Sequence, residues 1–322
     1  MLKPTNIESL PDEIIFEILV RVPAQDIYTA TRLVCRKWYK VIHTHHFIHA
    51  HLQQSTPGLL AQRTGQKTFI ARGKYLIETS KFNYDFEYRR EVMSSCNGLV
   101  LKTHDDYRDL YITNPATRQH FALPTILTIG VDKDWTRRVS TRHLSLTAKN
   151  LFLSQHPLTT EGFMHWTKND SRSEYVLTLN VETEIITQFP VPRHGETELM
   201  YYYYLPMGSY LSLLIARSKL SWEVWEMKPE TGEWTKMPNI DLEAQFAGSL
   251  NSALIPVGWL KCREVLVFGV GMGTSRISWS SIPTWDCIAC NVRTGEFVKF
   301  PLYGSLNRFL VHRNSLVWMD VY

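Results

Sequence analysis

A motif that recurs four times between residues 114 and 301 limits the fold of this chain more than any other feature. The copies begin at Asn114, Asn180, Lys228 and Asn291. Three residues on, each carries a threonine: Thr117, Thr183, Thr231 and Thr294. Ten residues on, each carries a proline: Pro124, Pro190, Pro238 and Pro301. Each proline follows an apolar residue (Leu123, Phe189, Met237, Phe300). An apolar pair also precedes each start, as in Leu110-Tyr111, Val176-Leu177, Val224-Trp225 and Cys287-Ile288. Apolar flanks around Asn, Thr and, in two copies, Gly232 and Gly295 read as a β-hairpin. The outgoing strand ends near a proline because proline has no N–H to give to a ladder. Successive threonines lie 66, 48 and 63 residues apart. Each interval holds about four short strands, the size of a propeller blade with its loops. From residue 57 onward there is room for about five or six such irregular blades. Trp234 and Phe297 occupy equivalent positions and are expected to wedge between neighbouring blades. A β-sandwich with long hairpins is the alternative, and the regular spacing favours the propeller.

The first fifty residues have a different period. Ser9 is placed to cap a helix, with Asp12 three residues on, and Pro11 suits a first helical turn. Ile14, Ile15, Ile18, Leu19 and Val22 then follow at helical spacing. Pro23 separates this stripe from a second one, Ala30, Leu33, Val34, Trp38, Val41 and Ile42. Arg32, Arg36, Lys37 and Lys40 decorate its other side. About forty residues of short helix cannot bury enough surface to stand comfortably alone. Periodicity is met equally by a cap on the β part and by a docking module. The expected architecture is multidomain: a small all-α module over residues 1–52, then an all-β propeller-like domain over 53–322.

Composition narrows the function classes. Hydrophobic residues make up 44% of the chain and aromatics 12%, enough for a packed core and too much for a disordered chain. The net charge of +4 is spread thinly, without the basic run that nucleic-acid binders show. Cys35, Cys96, Cys262, Cys287 and Cys290 are odd in number and irregular in spacing, so a reducing compartment is expected. The N-terminus, with Glu8, Asp12 and Glu13 close behind it, does not read as a signal peptide. Residues 199–216 carry no charge. However, five tyrosines and the Pro206-Met207-Gly208 break read as two buried strands and not as a membrane helix.

Two sets of residues resemble a known family. Leu10-Pro11-Asp12-Glu13-Ile14-Ile15, Ile18-Leu19, Val22-Pro23, Leu33-Val34-Cys35-Arg36-Lys37-Trp38 and Ile42 resemble an F-box over residues 8–48. Ser95-Cys96-Asn97-Gly98-Leu99-Val100 with Tyr111 to Arg118 and Leu123-Pro124 is similar to the kelch-like, F-box-associated domain of plant F-box proteins. Gly162-Phe163-Met164-His165-Trp166 ahead of Leu179 to Thr183 is similar too. Residues 125–160 match less well and look shortened. The resemblance implies a Skp-type adaptor as partner, and through it a cullin–RING ubiquitin ligase. Carried over residue by residue, it implies adaptor contacts at Leu10, Pro11, Ile14, Ile15, Ile18, Leu33, Val34 and Cys35, with Trp38 packed inside. Val22 and Ile27 stand where the family often has Leu.

Candidate chemistry is sparse. Cys287-x-x-Cys290 lies on an expected strand, where positions three apart face opposite sides, so core cysteines are expected and not a zinc or redox pair. Cys96 has no signposted His–acid pair. His45 and His49, four apart, could clamp a metal on a helix. His46-Phe47 and His51-Leu52 also fit the ordinary tail of this family's F-box, and no metal or other cofactor is expected. Gly269-Val270-Gly271-Met272-Gly273 reads as a loop between strands, and no nucleotide fingerprint or catalytic carboxylate pair is present. Candidates for target recognition are the aromatics Trp135, Tyr202, Trp279 and Trp285, with Tyr201, Tyr203, Tyr204, Arg137, Arg138 and Arg276 beside them in sequence. The expected function is that of a non-catalytic substrate receptor of an SCF-type ubiquitin ligase, in cytoplasm or nucleus, with an unknown target protein and neither nucleic acid nor membrane as partner. A propeller-type lectin or hydrolase with a helical cap is the competing expectation. So is an F-box scaffold not coupled to ubiquitin transfer.

Overall fold

The computed structural model describes residues 10–63, 66–71, 78–81, 91–103, 110–122, 157–167, 174–192, 201–246, 253–270, 284–303 and 306–317. The helices come first: α1 (Asp12–Leu19), α2 (Ala24–Thr29), a 3-10 turn (Thr31–Leu33), α3 (Arg36–Ile42) and α4 (His45–Gln54). Pro11 and Pro23 stand immediately before α1 and α2, where a missing N–H costs no helical bond. No side chain caps α1, so Asp12 is its first residue and not a capping partner; Ser9 lies outside the described residues. The second stripe expected from periodicity is divided between the 3-10 turn, which holds Leu33 with Ala30 and Val34 at its ends, and α3, which holds Trp38, Val41 and Ile42. α4 is capped by Thr44, whose Oγ1 accepts from the Phe47 amide at 3.2 Å.

Strands occupy the rest: β1 (Gly58–Arg63), β2 (Gln66–Ala71), β3 (Glu78–Lys81), β4 (Glu91–Cys96), β5 (Leu99–Thr103), β6 (Leu110–Asn114), β7 (Gln119–Ala122), β8 (Leu158–Thr160), β9 (Phe163–Trp166), β10 (Tyr175–Asn180), β11 (Ile185–Pro190), β12 (Tyr202–Met207), β13 (Tyr210–Ala216), β14 (Ser221–Lys228), β15 (Glu233–Lys236), β16 (Ile240–Asp241), β17 (Leu254–Lys261), β18 (Val265–Val270), β19 (Thr284–Asn291), β20 (Phe297–Tyr303) and β21 (Leu306–His312). A one-turn helix, α5 (Glu243–Phe246), follows β16. Four sheets are consecutive antiparallel meanders: β4 to β7, β8 to β11, β12 to β15, and β17 to β20. The fifth has the order β21-β1-β2-β3, so the last strand joins the first three.

Each copy of the repeated motif is the final hairpin of one meander. β6, β10, β14 and β19 enter, and β7, β11, β15 and β20 leave as edge strands. An edge strand has an unpaired side, which is why proline is tolerated there; Pro190 ends β11, and β20 runs on through Pro301. The turns share one geometry. The side-chain Oδ1 of Asn114, Asn180 and Asn291 accepts the amides two and three residues on, at 2.9–3.4 Å. The fifth residue has positive φ in all four copies: Arg118, Glu184, Gly232 and Gly295. Trp234 Nε1 donates to the Pro190 carbonyl at 2.8 Å, and the Phe297 ring lies 4.6 Å from Phe246 on α5. Both aromatics therefore reach beyond their own sheets.

The chain divides into two compact units. The smaller comprises Met1–Gly58, Phe82–Thr125 and His312–Tyr322, and holds α1 to α4 with the β4–β7 sheet. The larger comprises Leu59–Lys81 and Ile126–Val311, with the other four sheets in a propeller-like arrangement. Cys287 packs among Leu59, Ile70 and Val267, whereas Cys290 packs among Trp222, Leu266 and Phe268. The two thiols face opposite sides of β19, as strand alternation requires. Residues 199–216 contribute the β12–β13 hairpin, paired from Tyr202↔Ile215 to Met207↔Tyr210. Among the described residues, no helix is long and apolar enough to cross a membrane.

Candidate docking site

The helical module has a packed apolar core and several exposed aliphatic side chains. Ile15 and Leu19 of α1 point inward to Ile27, Ile42 and Phe47, with Leu10, Phe16, Val22 and Trp38 packed around them. Trp38 is half-buried against this core, as expected. Phe16 is held edge-on by Phe47 at 5.3 Å and stacked by His46 at 5.0 Å. One residue round the helix, Ile14 and Ile18 are each 47% exposed. Leu33, at the end of the 3-10 turn, is 72% exposed, and Val34 beside it 50%. These four are the large aliphatic side chains that the helical module leaves exposed among the described residues.

Polar contacts fix the frame beneath this face. Lys37 Nζ on α3 donates to the Leu10 carbonyl and pairs with Asp12 Oδ1 at 3.0 Å, tying the start of α1 to α3. The Arg32 guanidinium lies 4.0 Å above the Tyr28 ring. His51 on α4 is buried; its Nε2–H donates to the Val22 carbonyl at 2.8 Å, closing the corner between α1 and α2. Burial lowers the His51 pKa, and the bond to Val22 offsets part of that shift.

The eight residues expected at the docking face separate by burial. Ile14, Ile18, Leu33 and Val34 are exposed, as is Pro11, while Leu10 and Cys35 are half-buried. Ile15 has no accessible surface and belongs to the core, because its place on α1 turns it toward Ile27 and Ile42. Sequence reasoning missed Lys37 and His51 as organisers of this face. It also missed two core residues that come from outside the helices, Ala116 and Leu316.

On the β part, Tyr202 is 4% exposed and its side chain packs with Val176, Tyr204 and Leu213. It offers no surface to a partner, because strand β12 turns it into the sheet interface. Its neighbour Tyr201, at 69%, is the exposed member of the run. Trp135, Trp279, Arg137, Arg138 and Arg276 lie outside the described residues, as does the side chain of Trp285 on β19. Of the chemistry candidates, Cys96 is exposed with its thiol pKa raised by partial burial, the reverse of an activated nucleophile. His45 and His49 lie exposed on α4, and among the described residues no three metal-ligating side chains cluster.

Residues 7–54 match the F-box-like family model. The N-terminal module is F-box-like. Two Arabidopsis thaliana proteins named for an F-box are similar to part of the chain. At3g07870 is 33% identical over 130 residues, covering 37% of this chain and 31% of that protein. At1g71320 is 28% identical over 136 residues, covering 35% and 34%. The matched part thus spans about a third of each relative's length. Among solved structures, a chain of the nidogen/laminin complex superposes loosely, with a TM-score of 0.35 and 8% identity over 80% of this chain and 99% of that one.

Proposed function

We propose that this chain is the substrate receptor of an SCF-type ubiquitin ligase. Its F-box-like helices, within residues 1–52, would dock a Skp-type adaptor and through it a cullin–RING core. Its β part, residues 53–322, would hold the target protein. The observation that carries this reading is an F-box-like segment whose Ile14, Ile18, Leu33 and Val34 stand exposed around an intact core. A receptor of this kind breaks and forms no bond itself. It raises the effective concentration of a target lysine beside a charged ubiquitin-conjugating enzyme and orients it. Such work belongs in the cytoplasm or nucleus, where free thiols such as those of Cys35, Cys96 and Cys262 persist.

Co-expression with a Skp-type adaptor tests the docking half. Wild type is expected to retain the adaptor through purification. A variant carrying Ile18→Asp and Leu33→Asp is expected to lose it while keeping its circular dichroism spectrum. A wild-type chain that retains no adaptor rejects the reading. Cullin in the purified complex, with ubiquitin transfer in a reconstituted assay, tests the coupling; adaptor without cullin would instead favour a scaffold role.

A further inference from the structure

We infer that Asn114, Ser315 and Leu316, far from the helices in sequence, are positioning residues for the docking face. This rests on the reading of that face as an adaptor site. The core beneath α1 is not made by the helices alone. Leu316 is fully buried in the same apolar cluster as Ile15, Leu19, Ile27, Ile42 and Phe47, and Ala116 is buried there too. The inward residues of α1 therefore belong to one buried apolar cluster with Leu316 of the C-terminal segment, while Ile14 and Ile18 stay exposed.

One buried amide holds both contributions in place. Asn114 Oδ1 accepts the amides of Ala116 at 2.9 Å and Thr117 at 3.4 Å, shaping the turn that delivers Ala116. Its Nδ2 donates to the carbonyls of Ser315 at 3.1 Å and Val317 at 2.7 Å, on either side of Leu316. Both amide hydrogens and two acceptor bonds of a fully buried side chain are thus used. At the equivalent turns, Asn180 and Asn291 make the same Oδ1 bonds, so the Nδ2 bonds to the C-terminal segment are an addition in this copy. Ser315 Oγ donates to the Asn97 carbonyl at 2.8 Å, and Ser95 Oγ lies 2.8 Å from His312 Nδ1. A Cβ at Gly98 would come within 2.0 Å of Ser315 Oγ, so the segment lies against bare backbone. These bonds are directional and buried or partly buried, so they set where Leu316 sits and not merely that it is apolar.

The test uses the full chain and two readouts: affinity for a Skp-type adaptor, and backbone hydrogen exchange of residues 12–54 with β13 and β14 as internal reference. Leu316→Ala empties the core position. Asn114→Asp keeps the turn acceptor but removes the donors to the C-terminal segment. Both are expected to speed exchange in α1 to α4, leave β13 and β14 protected, and weaken adaptor binding by about tenfold, as when the competent conformation falls to about a tenth of the population. Leu316→Met, which refills the volume, is expected to restore most of the affinity, and Asn291→Asp to leave it unchanged. Unchanged affinity and exchange in Leu316→Ala overturns the inference, as does loss of protection spread evenly over all strands. If wild type itself binds no adaptor, the receptor reading fails. The exchange data then decide separately whether the C-terminal segment organises the helices.

Discussion

The four equivalent turns let single residues be compared in one backbone geometry. Their fifth position has φ of 59° at Arg118, 56° at Glu184, 71° at Gly232 and 75° at Gly295. Only glycine adopts this region without a Cβ penalty. Glu184→Gly is therefore expected to raise stability by up to about 1 kcal/mol, less the entropy that glycine adds to the unfolded chain. Gly232→Ala is expected to lower it by about 1–3 kcal/mol, because the new Cβ would meet the Phe189 ring at 2.0 Å as well as strain the backbone. Urea unfolding midpoints of the two variants check both signs. His165 gives a pH signature. It is fully buried, with Nε2 at 2.9 Å from Thr160 Oγ1 and Nδ1 at 3.0 Å from Thr178 Oγ1, which satisfies a neutral ring. Burial pushes its pKa down to about 3. Unfolded histidine titrates near 6.5, so below that pH the unfolded chain takes up the proton first. The stability His165 supports is complete above about pH 6.5 and is lost progressively as pH falls toward about 3. Buried His312, lowered to about 4, acts with the same sign. Thermal scans between pH 8 and 4 should show a shallower decline for His165→Gln than for wild type; parallel curves would sink the assignment.

At the scale of elements, α1 shows both what a sequence pattern reveals and where it stops. The doublets Ile14-Ile15 and Ile18-Leu19 spread the apolar arc wide enough to face core and partner at once. Periodicity announces the helix but cannot say which member of each doublet points inward. Packing against Ile27 and Ile42 decides that. The distinction is measurable. Ile15→Asp buries an unpaired carboxylate and is expected to unfold the helical module, at a cost of several kcal/mol. Ile18→Asp is expected to leave helical content and melting temperature near wild type and to abolish adaptor retention. Hairpins were legible for a related reason: the turn chemistry is local, so Asn, Thr and, in two copies, glycine mark it, whereas the left-handed φ at Arg118 and Glu184 carried no signal in the sequence. Strand orientation was less legible. β13 is buried continuously from Leu211 to Ile215, so it carries no alternation to read. Tyr201 and Tyr202 look alike in sequence, yet one is exposed and the other buried according to how β12 lies against its neighbours. The pairing of β21 with β1, and the place of Leu316 among helices some three hundred residues upstream, depend on tertiary contacts that no local pattern encodes.

For the whole molecule, the larger unit is held by polar ties between sheets as well as by apolar packing. Arg263, in the β17–β18 turn, forks onto Glu226 of β14 at 2.8 and 2.5 Å. Trp259 of β17 donates to Ser212 of β13 at 2.9 Å, while Ser212 donates to the Leu205 carbonyl. None of these ties involves α1 to α4, whose own core is completed within the smaller unit. A docking-face substitution should therefore leave the larger unit intact. If the proposed function holds, it should separate adaptor capture from target capture. The chain carrying Ile18→Asp and Leu33→Asp, fused to a proximity-labelling enzyme, is expected to lose adaptor and cullin from its labelled neighbours while keeping the rest of the set. Among the retained neighbours, true targets should rise in abundance relative to cells expressing wild type, because they are held without being ubiquitinated. A labelled set that collapses entirely, in a variant with a wild-type melting temperature, would mean that the β part does not bind targets on its own.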